Sequence, residues 1–177
     1  KDKVIKQVIP DLAEAMIETG AVAEAKDLLS PYVIGEGAPL GTRTPTILLS
    51  RAMMGSIVGS GTNVKTTPGA GGTEEEFEFI ARRLVTIEDS LTTWTCEWYE
   101  AKLASIYAYY SWGQTNAKKL ETAKNMMDGI VSLMNGETDF ALVDEGCNLD
   151  EVDPQMRRRL GSGTLAARYR WLHGKTR

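Results

Sequence analysis

The chain holds one histidine and two cysteines in 177 residues. The lone His173 excludes the multi-histidine sites that hold catalytic zinc or iron. It also lacks a Ser, Cys or carboxylate partner in a recognisable arrangement, which an oriented general base needs. Cys96 and Cys147 make neither a CxxC pair nor a dense disulfide framework. Either they join in one disulfide or they are two buried thiols, and the usual burial of free cysteine favours thiols. No run approaches the ~20 apolar residues of a membrane span. No signal-peptide pattern is present at Lys1, where the chain starts. The expectation is a protein with no membrane span and no cofactor, its compartment open.

Two further chemistries fail on spacing. Gly59-Ser-Gly61-Thr-Asn-Val64-Lys65-Thr66-Thr67 has the look of a phosphate loop, but that loop needs Gly directly before the Lys, and here Val64 stands there. A helix should follow to aim its N-terminus at the anion, yet Thr67-Pro68-Gly69 breaks the chain. The acidic run Asp144 to Asp153 lacks the alternating ligands, central glycine and final glutamate of a calcium loop, and reads as a solvated connector.

What is present describes a folded chain. Apolar residues make up 42% and charged residues 25%, ordinary for a globular protein long enough to bury a sizeable core. The net charge of −4 is unevenly spread. No Asp or Glu lies beyond Asp153, whereas Arg157, Arg158, Arg159, Arg168, Arg170, Lys175 and Arg177 all do; those seven cations leave the preceding body at −11. An acidic body with a basic tail suits a partner that docks the tail by charge, or the tail of one copy on the body of another. A solvated helix face is the plainer reading. The body's acidity and the lack of a reading motif disfavour nucleic acid.

Helical periodicity dominates. Val8, Ile9, Leu12, Ala13, Met16 and Ile17 trace one stripe, closed by Gly20, with Pro10 either in the first turn or at a kink. Val22, Ala25, Leu28 and Leu29 trace a second, which Pro31 should stop; together they predict an antiparallel hairpin. Residues 33–44 read as a loop, after which Thr44-Pro45 should cap a third helix carrying Leu48, Leu49, Ala52 and Met53. Residues 59–72 read as a flexible linker. Thr73 to Glu76 is a capping box opening a fourth helix through Leu91. A fifth, Trp94 to Trp112, is apolar nearly all round and predicts burial between neighbours. A sixth runs from Asn116 to Gly136, residues 137–152 read as an acidic loop, and Asp153-Pro154 opens a short seventh, cut at Gly161 and Gly163. Thr164 caps an eighth. No stretch alternates long enough to found a sheet.

The first hairpin resembles a tetratricopeptide repeat, whose signature recurs over about 34 residues. The family's bulky first position falls on Ile9, its leucine on Leu12, its small residue on Ala13, its turn glycine on Gly20 and its second-helix alanine on Ala25. Met16 and Leu29 stand where the family has aromatics, and Gly37 where it has a closing proline. Trp98 to Met127 resembles a second, divergent repeat, with Gly113, Leu120 and Ala123 in place and a turn enlarged by Gln114 to Lys119. The resemblance implies stacked hairpins that bury a continuous core only together.

The expected fold is therefore all-α: stacked antiparallel helical hairpins over residues 1–177, as an irregular solenoid or a bundle, either complete or the C-terminal part of a longer array. The expected function is a protein-interaction or assembly module. Tyr109 and Trp112, from an aromatic cluster mostly assigned to the core, are its candidate exposed contacts, and Arg157, Arg158, Arg159, Arg168 and Arg170 would dock an acidic surface. The alternatives are a structural subunit of a larger homo- or hetero-oligomer, and an all-α enzyme whose site has no sequence signature.

Overall fold

The computed structural model describes residues 4–34, 38, 42–160 and 164–177. The chain is mostly helical. A π-helical turn, Val4–Val8, leads into α1 (Ile9–Glu18), followed by α2 (Val22–Val33), α3 (Arg43–Met54), strands β1 (Ser56–Val58) and β2 (Lys65–Thr67), α4 (Glu74–Asp89), α5 (Cys96–Gly113), α6 (Ala117–Leu133), α7 (Ala141–Gly146), α8 (Pro154–Leu160) and α9 (Thr164–Thr176). Half of the 33–44 loop, including the repeat's closing position at Gly37, and Gly161 and Gly163 lie outside the described residues.

Local chemistry explains most of the helix ends. Pro10 sits in the first turn of α1, where no helical N–H is missed. Gly20 follows α1 at φ +88°, its N–H donating to the Ile17 carbonyl while Ala21 N–H reaches Met16, so both orphan carbonyls are satisfied. At the end of α6 both Asn135, at φ +55°, and Gly136, at φ +85°, are left-handed, and Gly136 N–H donates to the Val131 carbonyl at 2.9 Å. Thr73 accepts from Glu76 N–H at 3.2 Å and Glu76 accepts from Thr73 N–H at 2.8 Å, the reciprocal capping box. Asp153 accepts from Met156 N–H at 2.9 Å and so caps α8 ahead of Pro154.

Three expectations about element limits need correction. Pro31 lies inside α2, which runs on to Val33; Leu29 and Val33 are fully buried and hold that last turn in the core. The third helix begins at Arg43, not after Thr44; Pro45 then falls within the first turn, whose N–H groups have no helical partner in any case. A short helix, α7, occupies part of the expected acidic loop because Phe140 and Val143 are fully buried under α9.

The stretch expected as a flexible linker is a built structure. β1 and β2 pair antiparallel with Ser56 opposite Thr67 and Val58 opposite Lys65, a small sheet that the sequence reading excluded. Past β2 the backbone returns to α3: Ala70 N–H donates to Ala52 and Gly71 N–H to Met53, both at 2.8 Å, which satisfies carbonyls at the helix end. Glycine makes this approach achievable. A Cβ on Gly69 would lie 2.3 Å from the Met53 carbonyl oxygen, and one on Gly55 would lie 2.0 Å from that of Thr67.

Consecutive helices from α1 to α6 pack on one another, with α1 also against α3 and α3 against α5; α9 folds back on α5, α6, α7 and β1. Two apolar clusters result. One gathers α1 to α4 with Ala108 and Trp112, and the other gathers α5 to α9 with Ile57 of β1. Helix α5 feeds both, as its all-round apolar surface predicts. Cys96, at the start of α5, is disulfide-bonded to Cys147 just past α7. The expected free thiols are thus a cross-link, formed because the short α7 brings residues 51 apart in sequence side by side.

Thr73→Ala should lower the unfolding free energy by about 0.5–2 kcal/mol in urea titrations, and Thr73→Asp should retain most of it. The Thr73 N–H and then Lys26 hold the Glu76 carboxyl below its ordinary value. Its contribution should be complete above pH ~4.5 and fall away as pH drops through the depressed value. Glu76→Gln should therefore flatten the acid limb of the stability curve.

Candidate functional site

A cleft of about 230 Å³ opens where α1 and α3 meet β1, α5, α8 and α9. Helical spacing puts Glu100, Leu103, Ala104 and Tyr107 of α5 on one wall, since these positions share a face. Ile47, Ser50 and Arg51 of α3 form the facing wall by the same rule, and Arg158, Arg159 and Arg168 enter from α8 and α9. Ile57, Leu160 and Leu165 add apolar surface.

The polar groups are unequally matched. Arg159 and Glu100, only 3% and 7% exposed in their side chains, form a two-point pair: Nε donates to Oε1 at 2.8 Å and Nη2 to Oε2 at 3.2 Å. This is the strong fork geometry of guanidinium and carboxylate. Glu14 of α1 faces three guanidinium groups without a close bond, 3.6 Å from Arg159, 3.9 Å from Arg51 and 3.8 Å from Arg158. Among the described residues its Oε1, Arg51 Nη1 and Arg159 Nη1 all lack hydrogen-bond partners, as does Arg168 Nε. Arg168 donates from Nη2 to the Arg159 carbonyl at 3.2 Å.

The titration behaviour follows from burial and neighbours. Desolvation, then the positive charge of Arg51, pull Arg168 down to about 10, with Glu100 working the other way. Burial also lowers Arg51, against the pull of Glu14. For Arg159 burial is the largest single influence and acts downward, but Glu100, Glu14 and Asp153 together outweigh it and leave the value raised. Burial raises Glu14, partly offset by Arg159 and Arg51. Tyr107 is pushed up to about 12 by burial and by Tyr110, so it stays a neutral hydroxyl. Arginines that remain charged at neutral pH and a phenol that remains protonated equip the cleft to bind an anion. His173 is packed against Phe140 at the end of α9 and does not line the cleft.

The expected contact residues divide. Trp112 is buried, 2% exposed, so it is not offered to a partner. Its indole N–H donates to Glu74 at 3.1 Å, Lys119 lies 4.1 Å over its ring and Tyr109 stacks on it, which fixes the α4–α5–α6 junction. Tyr109 is half-buried in that stack. Arg159 is interior, a correction to its expected role as a docking cation. Arg157 reaches the Leu149 carbonyl at 2.9 Å and Asp150 at 3.5 Å, and Arg158 reaches Asp11 and Glu14. The basic run of α8 is thus turned onto carboxylates of its own chain. Arg168 is half-buried in the cleft and Arg170 is exposed, bonded to the Asp139 carbonyl.

Glu14, Arg51 and Glu100 were not foreseen. The signal was a charge set inside an apolar stripe: Glu14 beside Ala13, Arg51 beside Ala52, and Glu100 in the helix apolar on every side. Among the described residues no cluster of His, Cys, Asp or Glu could hold a metal ion, and no helix is long and apolar enough to cross a membrane.

Removing one member of the buried pair strands the other. Arg159→Ala should cost about 3–5 kcal/mol of unfolding free energy, whereas Arg159→Met combined with Glu100→Leu should cost far less or nothing, measured by urea denaturation of all variants. No known protein family, curated protein or solved structure matches the chain.

Proposed function

We propose that the protein is a binding and assembly module of the helical-repeat type, and that an acidic segment of a protein partner docks at the arginine-lined cleft. The hairpins α1/α2, α3/α4 and α5/α6, with α1 against α3 and α3 against α5, suit a stacked-repeat arrangement. The tetratricopeptide-like pattern of the first hairpin favours the same reading. The observation that carries it is Arg168: a half-buried guanidinium in an open cleft, bonded to a carbonyl but to no carboxylate among the described residues. An uncompensated cation is costly to bury, and a partner's carboxylate would offset that cost.

The test is the anisotropy of a fluorescent peptide of alternating Glu and Leu. It should bind with an affinity that falls as salt rises, and Arg168→Gln and Arg51→Gln should each weaken it about tenfold or more. Binding indifferent to both substitutions would remove the cleft as the docking site.

A second reading, a subunit of a larger assembly, rests on Val8 and Leu12. They are 52% and 46% exposed and one helical turn apart at the start of the chain's first hairpin. A further hairpin or a second copy would cover them. Sedimentation equilibrium should then show an oligomer that Leu12→Glu disperses; a monomer at every concentration would count against self-assembly.

A further inference from the structure

We infer that the group gripped in the cleft is a single carboxylate carried on a short hydrocarbon, seated between Arg51 of α3 and Arg168 of α9. The inference rests on the reading of the cleft as the docking site and names the chemistry that it recognises.

The four arginines of the cleft are not equally free. Arg159 is committed to Glu100 by two hydrogen bonds. Arg158 sits at the rim and turns to Asp11 and Glu14. Among the described residues Arg51 has Glu14 as its ion-pair partner, at 3.9 Å, which is too far for a hydrogen bond. Arg168 has one bond to a carbonyl, and its Nε has no partner among the described residues. Two guanidinium groups from different helices therefore line one cavity with no hydrogen bond to a carboxylate among the described residues. Arg51 is close enough to Arg168 for its charge to disfavour that of Arg168. An anion between the two guanidinium groups would relieve that repulsion.

Charge sets the sign. Arg51, Arg158, Arg159 and Arg168 line the cavity against Glu18 and Glu100, so the lining favours an anion, and its apolar walls favour a carboxylate on hydrocarbon over a fully polar phosphate. Size and lining set the rest of the ligand. The cavity, about 230 Å³, is smaller than the ~300 Å³ at which pockets for drug-sized molecules begin. Ile47, Ile57, Leu103, Leu160 and Leu165 offer a hydrocarbon wall. Either a free small carboxylic acid or one acidic side chain of a docked protein presents this chemistry.

Calorimetric titration of the intact protein with 4-methylpentanoate, 4-methylpentanamide and inorganic phosphate tests it, with the Glu/Leu peptide as a parallel arm. The carboxylate should bind with Kd of about 0.1–10 mM, since so few atoms can contribute little more. The amide should bind at least about tenfold more weakly, and Arg51→Gln and Arg168→Gln should each impose a similar loss. The carboxylate should also raise the thermal midpoint of the native chain but not that of Arg168→Gln, whose far-UV circular dichroism should be unchanged. If 4-methylpentanoate displaces the peptide, both sources share the seat, and the tighter of the two is the better candidate. Equal binding of acid and amide, or tighter binding of phosphate, would overturn the carboxylate seat. So would an Arg168-dependent peptide with no response to 4-methylpentanoate, which would leave the docking reading standing. Failure of both peptide and carboxylate to bind the folded protein would remove both.

Discussion

A helix that is apolar on every side has to be enclosed, and α5 imposes that requirement on everything around it. Trp98, Tyr99, Leu103 and Ile106 face one cluster while Ala108 and Trp112 face the other. No single neighbour can cover both sides, so α3 and α4 come from before it and α6 and α9 from after it. The return of α9 follows from the same need. Tyr169 is fully buried and its hydroxyl donates to the Tyr99 carbonyl at 2.8 Å, so the last helix is anchored to the central one by a satisfied polar contact.

Enclosing α5 also encloses Glu100. A carboxylate at that depth needs a cation, and Arg159 supplies it across 59 residues of sequence. That one pair explains where the basic tail goes. Once Arg159 is drawn in, its neighbours Arg157 and Arg158 meet Asp150, Asp11 and Glu14, so the basic run of α8 is met by carboxylates within the molecule. The cleft is the remainder of this arrangement. It is where α1, α3, α5, α8 and α9 bring more guanidinium groups than carboxylates to one cavity, and Arg168 is bonded there to a carbonyl but to no carboxylate among the described residues.

The legibility of the fold was uneven for physical reasons. Gly20, Thr73 with Glu76, and Asp153 with Pro154 were readable because each acts within a few residues of itself. Residues 59–72 were misread because a run of glycine, threonine and proline looks the same whether it is loose or pinned. What pins it is hydrogen bonding to the end of α3 and contact distances that only glycine tolerates. Trp112 was misjudged in the same way. Its place in the helical pattern was clear, but the Glu74 and Lys119 that surround it are brought there by α4 and α6.

Periodicity, capping and composition by themselves determined that the chain would be helical, where most helices would start, and that α5 would be buried, since these depend on neighbours within one or two turns. The tertiary structure alone decided that Cys96 meets Cys147, that Arg159 is interior, and that Arg51 and Arg168 share a cavity. Each of those depends on the distance between residues far apart in sequence. A charged side chain looks the same in sequence whether it faces water or a buried partner; burial separates the two cases, and burial is a property of the packed whole.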